Sequence, residues 1–168
     1  MGGDPLDLSD RTIRRVYAYV AFRIGRGPDA EDVTSEVFER AVRYRASYDR
    51  RKGAPLAWLF GIARGCIADH VARRVVSGGE PDDVAMLGDL EGDTVERLAL
   101  RDAVRRLGPR DRELIALRYG ADLSAREIGE LLGERTNTIE VALHRAVSRL
   151  RDDLDAGPRG APAPQGVR

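Results

Sequence analysis

Six side chains near the C-terminal end, Asn137, Thr138, Val141, His144, Arg145 and Ser148, fall at spacings that line the outward side of one helix. Together they offer amide, hydroxyl, imidazole, guanidinium and small apolar groups, a set suited to base edges and phosphates in the major groove of DNA. Glu140 lies among them, three residues after Asn137, where it either completes a helix cap or accepts a hydrogen bond from cytosine. The alternate positions Ile139, Leu143, Ala146 and Leu150 are apolar at helical period and face a core. Thr136 or Asn137 caps this helix. Upstream, Ser124 with Glu127 predicts a capping box that opens a shorter helix, with Ile128, Leu131 and Leu132 buried and Gly133 ending it in the left-handed conformation. Two capped amphipathic helices joined at a glycine form the pattern of a helix-turn-helix. Ordinary helical hairpins share that pattern, so the rest of the chain must decide between them.

A second set lies at residues 53–74, where Trp58 and Phe60 precede Arg64, Asp69, His70, Arg73 and Arg74. The aromatics suit a core. The arginines suit phosphates, or pair with nearby acids such as Asp69. A third set is carried by the helix that Pro28 opens, whose early acids favour its positive end by a few tenths to about 1 kcal/mol. Ala30, Val33, Val37, Phe38 and Ala41 make its apolar stripe. Asp32, Ser35, Glu36, Glu39 and Arg40 make the opposite face, which is solvated unless a partner covers it.

The elements that must hold these sets are helices near residues 9–25, 29–44, 55–75, 94–107, 109–119, 125–132 and 137–152. No stretch alternates as a strand does, so the fold class is all-α, with two small helical domains joined by a flexible acidic linker. Residues 9–75 form the first domain, 76–93 the linker, 94–155 the second domain and 156–168 a disordered Ala, Gly and Pro tail. Within the linker, Val84, Leu87 and Leu90 are spaced for a brief helical turn. The formal net charge of zero conceals a segregation: residues 1–74 carry +4, residues 75–96 carry −7 and residues 97–151 carry +4. Cys66, the single cysteine, sits among Ile62, Ala63 and Ile67 and reads as a small buried hydrophobe. One cysteine and two distant histidines build no metal site, and no cofactor is expected. No apolar run is long enough to span a bilayer and no signal peptide opens the chain, so a soluble cytoplasmic protein with no membrane partner is expected.

Residues 29–38, DAEDVTSEVF, residues 58–65, WLFGIARG, and the D-H-x-x-R-R run at residues 69–74 resemble region-two motifs of the extracytoplasmic-function class of bacterial RNA polymerase sigma factors. Residues 107–114, LGPRDREL, and 127–133, EIGELLG, resemble the region-four pattern of the same family. Order, spacing and the acidic segment between them make the resemblance specific over roughly residues 16–150. It implies that Asp32, Ser35, Glu36 and Phe38 dock on the clamp helices of the polymerase's largest subunit, with the flap as a further contact. It implies that Trp58, Arg64, Asp69, His70, Arg73 and Arg74 hold the opened minus-ten element, where base flipping costs a few kcal/mol. Asn137, Thr138, Val141, His144, Arg145 and Ser148 then read the minus-thirty-five element. The linker threads the polymerase's active-site cleft and RNA exit path, or is a solvated tether. Promoter DNA and core polymerase are the implied partners, with room for an anti-sigma factor.

Three departures bear on these roles. Ser35 replaces the family's usual Gln, Gly65 its Asn, and residues 137–142, NTIEVA, replace a more basic reading run. The outward face then carries Arg145 as its one full positive charge, and binds weakly without a larger machine to tether it. The rivals are a stand-alone helix-turn-helix regulator and a helical interaction adaptor. An enzyme is the weakest reading, because no nucleophile, metal cluster or phosphate-cradling glycine loop occurs.

Overall fold

The computed structural model describes residues 9–78 and 95–156. The expected turn at Val84, Leu87 and Leu90, most of the acidic linker and the tail from residue 157 lie outside the described residues. Within them the chain forms seven α-helices and no strand. Helix α1, Asp10–Ile24, begins at Ser9, whose side chain accepts from the Thr12 amide, and stops at Gly25. Helix α2, Pro28–Tyr44, has proline in its first turn, where the missing N–H costs nothing. A short 3-10 turn at Arg45–Ser47 leads to helix α3, Pro55–Val76. The second half comprises α4, Val95–Arg106; α5, Pro109–Ile115; α6, Ala125–Leu132; and α7, Thr136–Asp155.

In the first half, α2 packs along α3 and α1 closes over both. Val16, Tyr19, Val20, Val33, Val37, Leu59, Phe60 and Cys66 are buried between them. Burial of each large apolar side chain contributes about 1.5–3 kcal/mol. Tyr19 meets Phe60 edge to face, with ring centroids 5.4 Å apart. In the second half, α4, α5 and α6 all lean on α7, and Leu114, Leu117, Leu123, Ile128 and Ile139 fill the space between.

Three local features depart from the periodic expectation. Helix α5 does not run on to Tyr119 as an α-helix; from Ala116 to Gly120 it widens into a π turn, closed by the Ala121 amide donating to Ala116 O at 2.9 Å. Leu117 and Ala121 are both fully buried. Neither Thr136 nor Asn137 caps α7: Arg135 is the N-cap and makes no side-chain cap bond, because the preceding turn has already brought Thr136 into helical conformation. That turn is unusually tight. Gly133 ends α6 at φ 71°, and the Glu134 amide donates to Gly129 O at 2.9 Å. A Cβ on Gly129 would lie 2.6 Å from Glu134 O.

The two small helical domains that the sequence implies are both present, and they share apolar contacts. The π turn packs on α1 and α6 packs on α3, so that one continuous apolar cluster runs through both halves. Periodicity assigns each helix a buried face but cannot say which distant helix fills it.

Candidate nucleic-acid interface

All six outward residues of α7, Asn137, Thr138, Val141, His144, Arg145 and Ser148, are exposed, while Ile139, Leu143, Ala146 and Leu150 anchor the opposite face. Val141 keeps 42% of its surface in solvent. The turn before this helix is pinned by Arg110, which donates to both Glu134 oxygens at 2.8 and 2.6 Å. That pairing holds the Glu134 carboxyl below its ordinary range and raises Arg110. Arg135, exposed at the start of α7, supplies a second cation beside Arg145 that helical spacing alone did not single out.

The row on α3 is engaged inside the protein. Arg64 Nε donates to Glu113 Oε1 at 3.1 Å, and Asp69 receives Arg40 at 2.7 Å. Arg73 reaches Glu36 at 3.2 Å, while His70 and Arg74 both stand 3.7 Å from Asp29. Asp69 is therefore the partner of Arg40 and not of the neighbouring arginines on its own helix. Its bond is the chief reason that Arg40 is raised above the ordinary arginine range. The His70 ring is largely covered, and its Nε2 lacks a hydrogen bond. Cys66 beneath them is fully buried, which pushes its thiol up and keeps it from acting as a nucleophile.

Trp58 is half-buried and leans on Tyr48, with ring centroids 5.5 Å apart. The two rings border a cavity of about 370 Å³ that Lys52, Ile62, Glu130 and Leu131 also line. An aromatic wall with a cation at its edge suits a stacked, unpaired base. On α2, Asp32 and Ser35 are exposed and Phe38 is half-buried against the core, beside the exposed Val42. Glu36 differs from them. It accepts from Arg40 within its own helix and from Arg73 on α3, so the α2 face and the α3 row share an ion network.

Residues 8–75 match the family Sigma-70 region 2, and residues 97–150 match Sigma-70, region 4. The chain is also 32% identical over 156 residues to the ECF RNA polymerase sigma factor SigK of Mycobacterium ulcerans, spanning 88% of this chain and 83% of that protein. The chain belongs to the extracytoplasmic-function RNA polymerase sigma factors. Identity with the family member BldN of Streptomyces coelicolor is 36% over 151 residues, covering 85% of this chain but only 57% of that longer relative. The fold of this sigma factor is that of RpoE from Bartonella quintana, solved with the anti-sigma factor NepR, at a TM-score of 0.65 and 21% identity over 88% of this chain and 94% of that one. CnrH, solved with the cytosolic domain of CnrY, superposes with a TM-score of 0.57 at 21% identity, over 88% of this chain and 82% of that one.

Within this sigma factor, region two is the α1–α3 half and region four the α4–α7 half. Arg15, Arg23, Glu113 and Glu130 bind partners in the other half of the chain, a role that neither the motifs containing Glu113 and Glu130 nor helical period assigned to them. No local signal in the sequence marks those distant partners. No helix among the described residues is long and apolar enough to cross a membrane, and no group of three or more His, Cys, Asp or Glu there is arranged to hold a metal ion.

Proposed function

We propose that this sigma factor binds core RNA polymerase, recognises a bipartite promoter and helps melt it at the start of transcription, working in the cytoplasm without a catalytic group of its own. The observation that carries the proposal is the pair of reading surfaces in one small chain: an exposed polar face on α7 and an arginine row beside an aromatic cavity on α3. In the proposed division, region two occupies residues 9–75, a linker residues 76–93, region four residues 94–155 and a tail residues 156–168.

Asp32, Ser35, Glu36 and Phe38 dock on the clamp helices of the largest subunit, and region four meets the flap. Asn137, Thr138, Val141, His144, Arg145 and Ser148 take the minus-thirty-five element in the major groove, with Arg135 added as a phosphate contact. Trp58, Arg64, Asp69, His70, Arg73 and Arg74 take the opened minus-ten strand, its unpaired base stacking in the Trp58 and Tyr48 cavity. An anti-sigma protein is a fitting regulator, since RpoE was solved with one.

Reconstitution tests this reading. Core polymerase supplemented with the purified chain is expected to give promoter-specific transcripts, and sequencing their starts reports both promoter elements. Tight binding to a duplex operator without polymerase, and no such transcripts, would identify a stand-alone regulator. An adaptor would give neither activity.

A further inference from the structure

Glu140 is the one acid between residues 135 and 151, a stretch of α7 that otherwise carries cations and neutral groups. Its residue type and position leave it two roles, a cap or a base contact, and the structure removes the first. With Arg135 as the N-cap, the position that completes a capping box belongs to Thr138, so Glu140 lies two residues too far along to bond back. It also stands beyond the first turn, where the helix dipole rewards an acid. The side chain is exposed and makes no hydrogen bond or ion pair among the described residues. Other acids of region four are engaged within the protein: Glu134 holds Arg110, Asp111 holds Arg149 and Asp153 holds Arg106.

Helical geometry sets Glu140 beside Asn137, three residues before it, and His144, four after, on one border of the outward face. Arg145 lies on the other border. A carboxylate on such a face can only accept hydrogen bonds, and the phosphates on either side of the groove repel it. Its possible partners are therefore base edges that carry a donor. Cytosine offers its N4 amino group with no acceptor beside it, whereas adenine sets N7 next to its N6 donor. Guanine presents N7 and O6, two acceptors, and thymine presents O4. Cytosine is the base that a carboxylate accepts most readily, and guanine the one that it rejects most strongly.

We infer that Glu140 is a specificity-determining residue of the minus-thirty-five reader, accepting from the N4 amino group of one cytosine and excluding guanine from that position. The inference rests on the proposed role of α7. It gives the face two opposed functions: Arg135 and Arg145 supply attraction to any DNA, and Glu140 withholds part of it from sequences that lack the cytosine. The scarcity of cations on this face and the presence of an unpaired acid then serve the same end, a reader that discriminates more than it grips.

The test uses holoenzyme assembled from core polymerase and the full chain, with promoters randomised across the minus-thirty-five element; bound promoters are recovered and sequenced. Native holoenzyme is expected to enrich cytosine over guanine about tenfold or more at one position. Glu140→Ala should flatten the preference at that position and leave the others unchanged. Glu140→Gln should move it from cytosine to adenine, and Glu140→Arg from cytosine to guanine, because these side chains pair with N6 and N7 of adenine and with O6 and N7 of guanine. An acid that merely sits in solvent predicts something else: Gln and Arg would raise affinity for every promoter alike and alter no base preference, and that result overturns the inference. So does a native minus-thirty-five preference that survives all three variants intact, which leaves the α7 reading standing. If native holoenzyme enriches no base anywhere in the element, the α7 reading itself has failed, and the inference with it.

Discussion

Glu36 is the residue on which the two proposed surfaces of region two meet. Its carboxylate accepts from Arg40 and Arg73 at once, whereas Asp32, one turn earlier, is exposed. The two acids should therefore respond differently to charge reversal. Asp32→Arg is expected to weaken co-purification with core polymerase while leaving the melting temperature unchanged. Glu36→Arg should weaken core binding, lower stability by at most about 1 kcal/mol because its pairs are partly screened by solvent, and also impair promoter opening by removing the carboxylate that positions Arg73. Equal behaviour of the two variants in thermal melts and opening assays would remove Glu36 from the network. On α7 the charges are sparse enough to count. Arg145→Glu and Arg135→Glu should each reduce promoter binding by the holoenzyme and lower the slope of log affinity against log salt by about one. An unchanged slope would mean that the altered side chain touches no phosphate. The outward α7 residues were legible from period alone, because one helix determines which of its own faces is buried. Glu113 was not, since its hydrogen bond to Tyr19 joins residues 94 positions apart.

Helices were legible to within a few residues wherever a cap or a proline marks the start. Ser124 and Glu127 form the expected reciprocal box, Gly133 takes the expected left-handed turn, and Pro28, Pro55 and Pro109 each fall in a first turn. The π turn was not legible, because the hydrophobic pattern of residues 109–119 suits an ordinary helix equally well. Nor does the pattern show that the turn of the helix-turn-helix leaves no space at Gly129. Gly129→Ala, a change that normally favours a helix, is here expected to destabilise by about 1–3 kcal/mol, because the new methyl meets a backbone carbonyl that cannot move alone. Urea unfolding measures it, and a stabilised variant would contradict the tight turn. The same turn has a pH signature. Since Arg110 holds the folded Glu134 carboxyl below its ordinary 4.5, the pair stabilises the fold above that value, and the contribution fades as pH falls through the lowered one. Glu134→Gln should therefore leave a smaller drop in melting temperature between pH of about 5 and 3 than the native chain shows. An identical drop in both would place the acid sensitivity elsewhere.

At the scale of the molecule, the two-part layout was readable from the charge segregation and from motifs lying at both ends. The joining of the parts was not, because a single helix carries no record of a second face until its distant partner is known. That joining changes what unfolding should look like. Two domains linked only by a tether melt independently, each at its own temperature. Here one apolar cluster runs from Val16 and Phe22 through Leu117 and Ile128 to Leu150, and Arg15 and Glu113 bind across the seam. Loss of either half strips the other of part of its core, so the free chain is expected to melt in one calorimetric transition whose van't Hoff and calorimetric enthalpies agree. Gly120→Leu, which wedges the seam against Phe22 on α1, should divide that peak into two. Two transitions in the native chain would show that the seam contributes too little to couple the halves, and region four would then be a tethered reader, free of region two before polymerase is met.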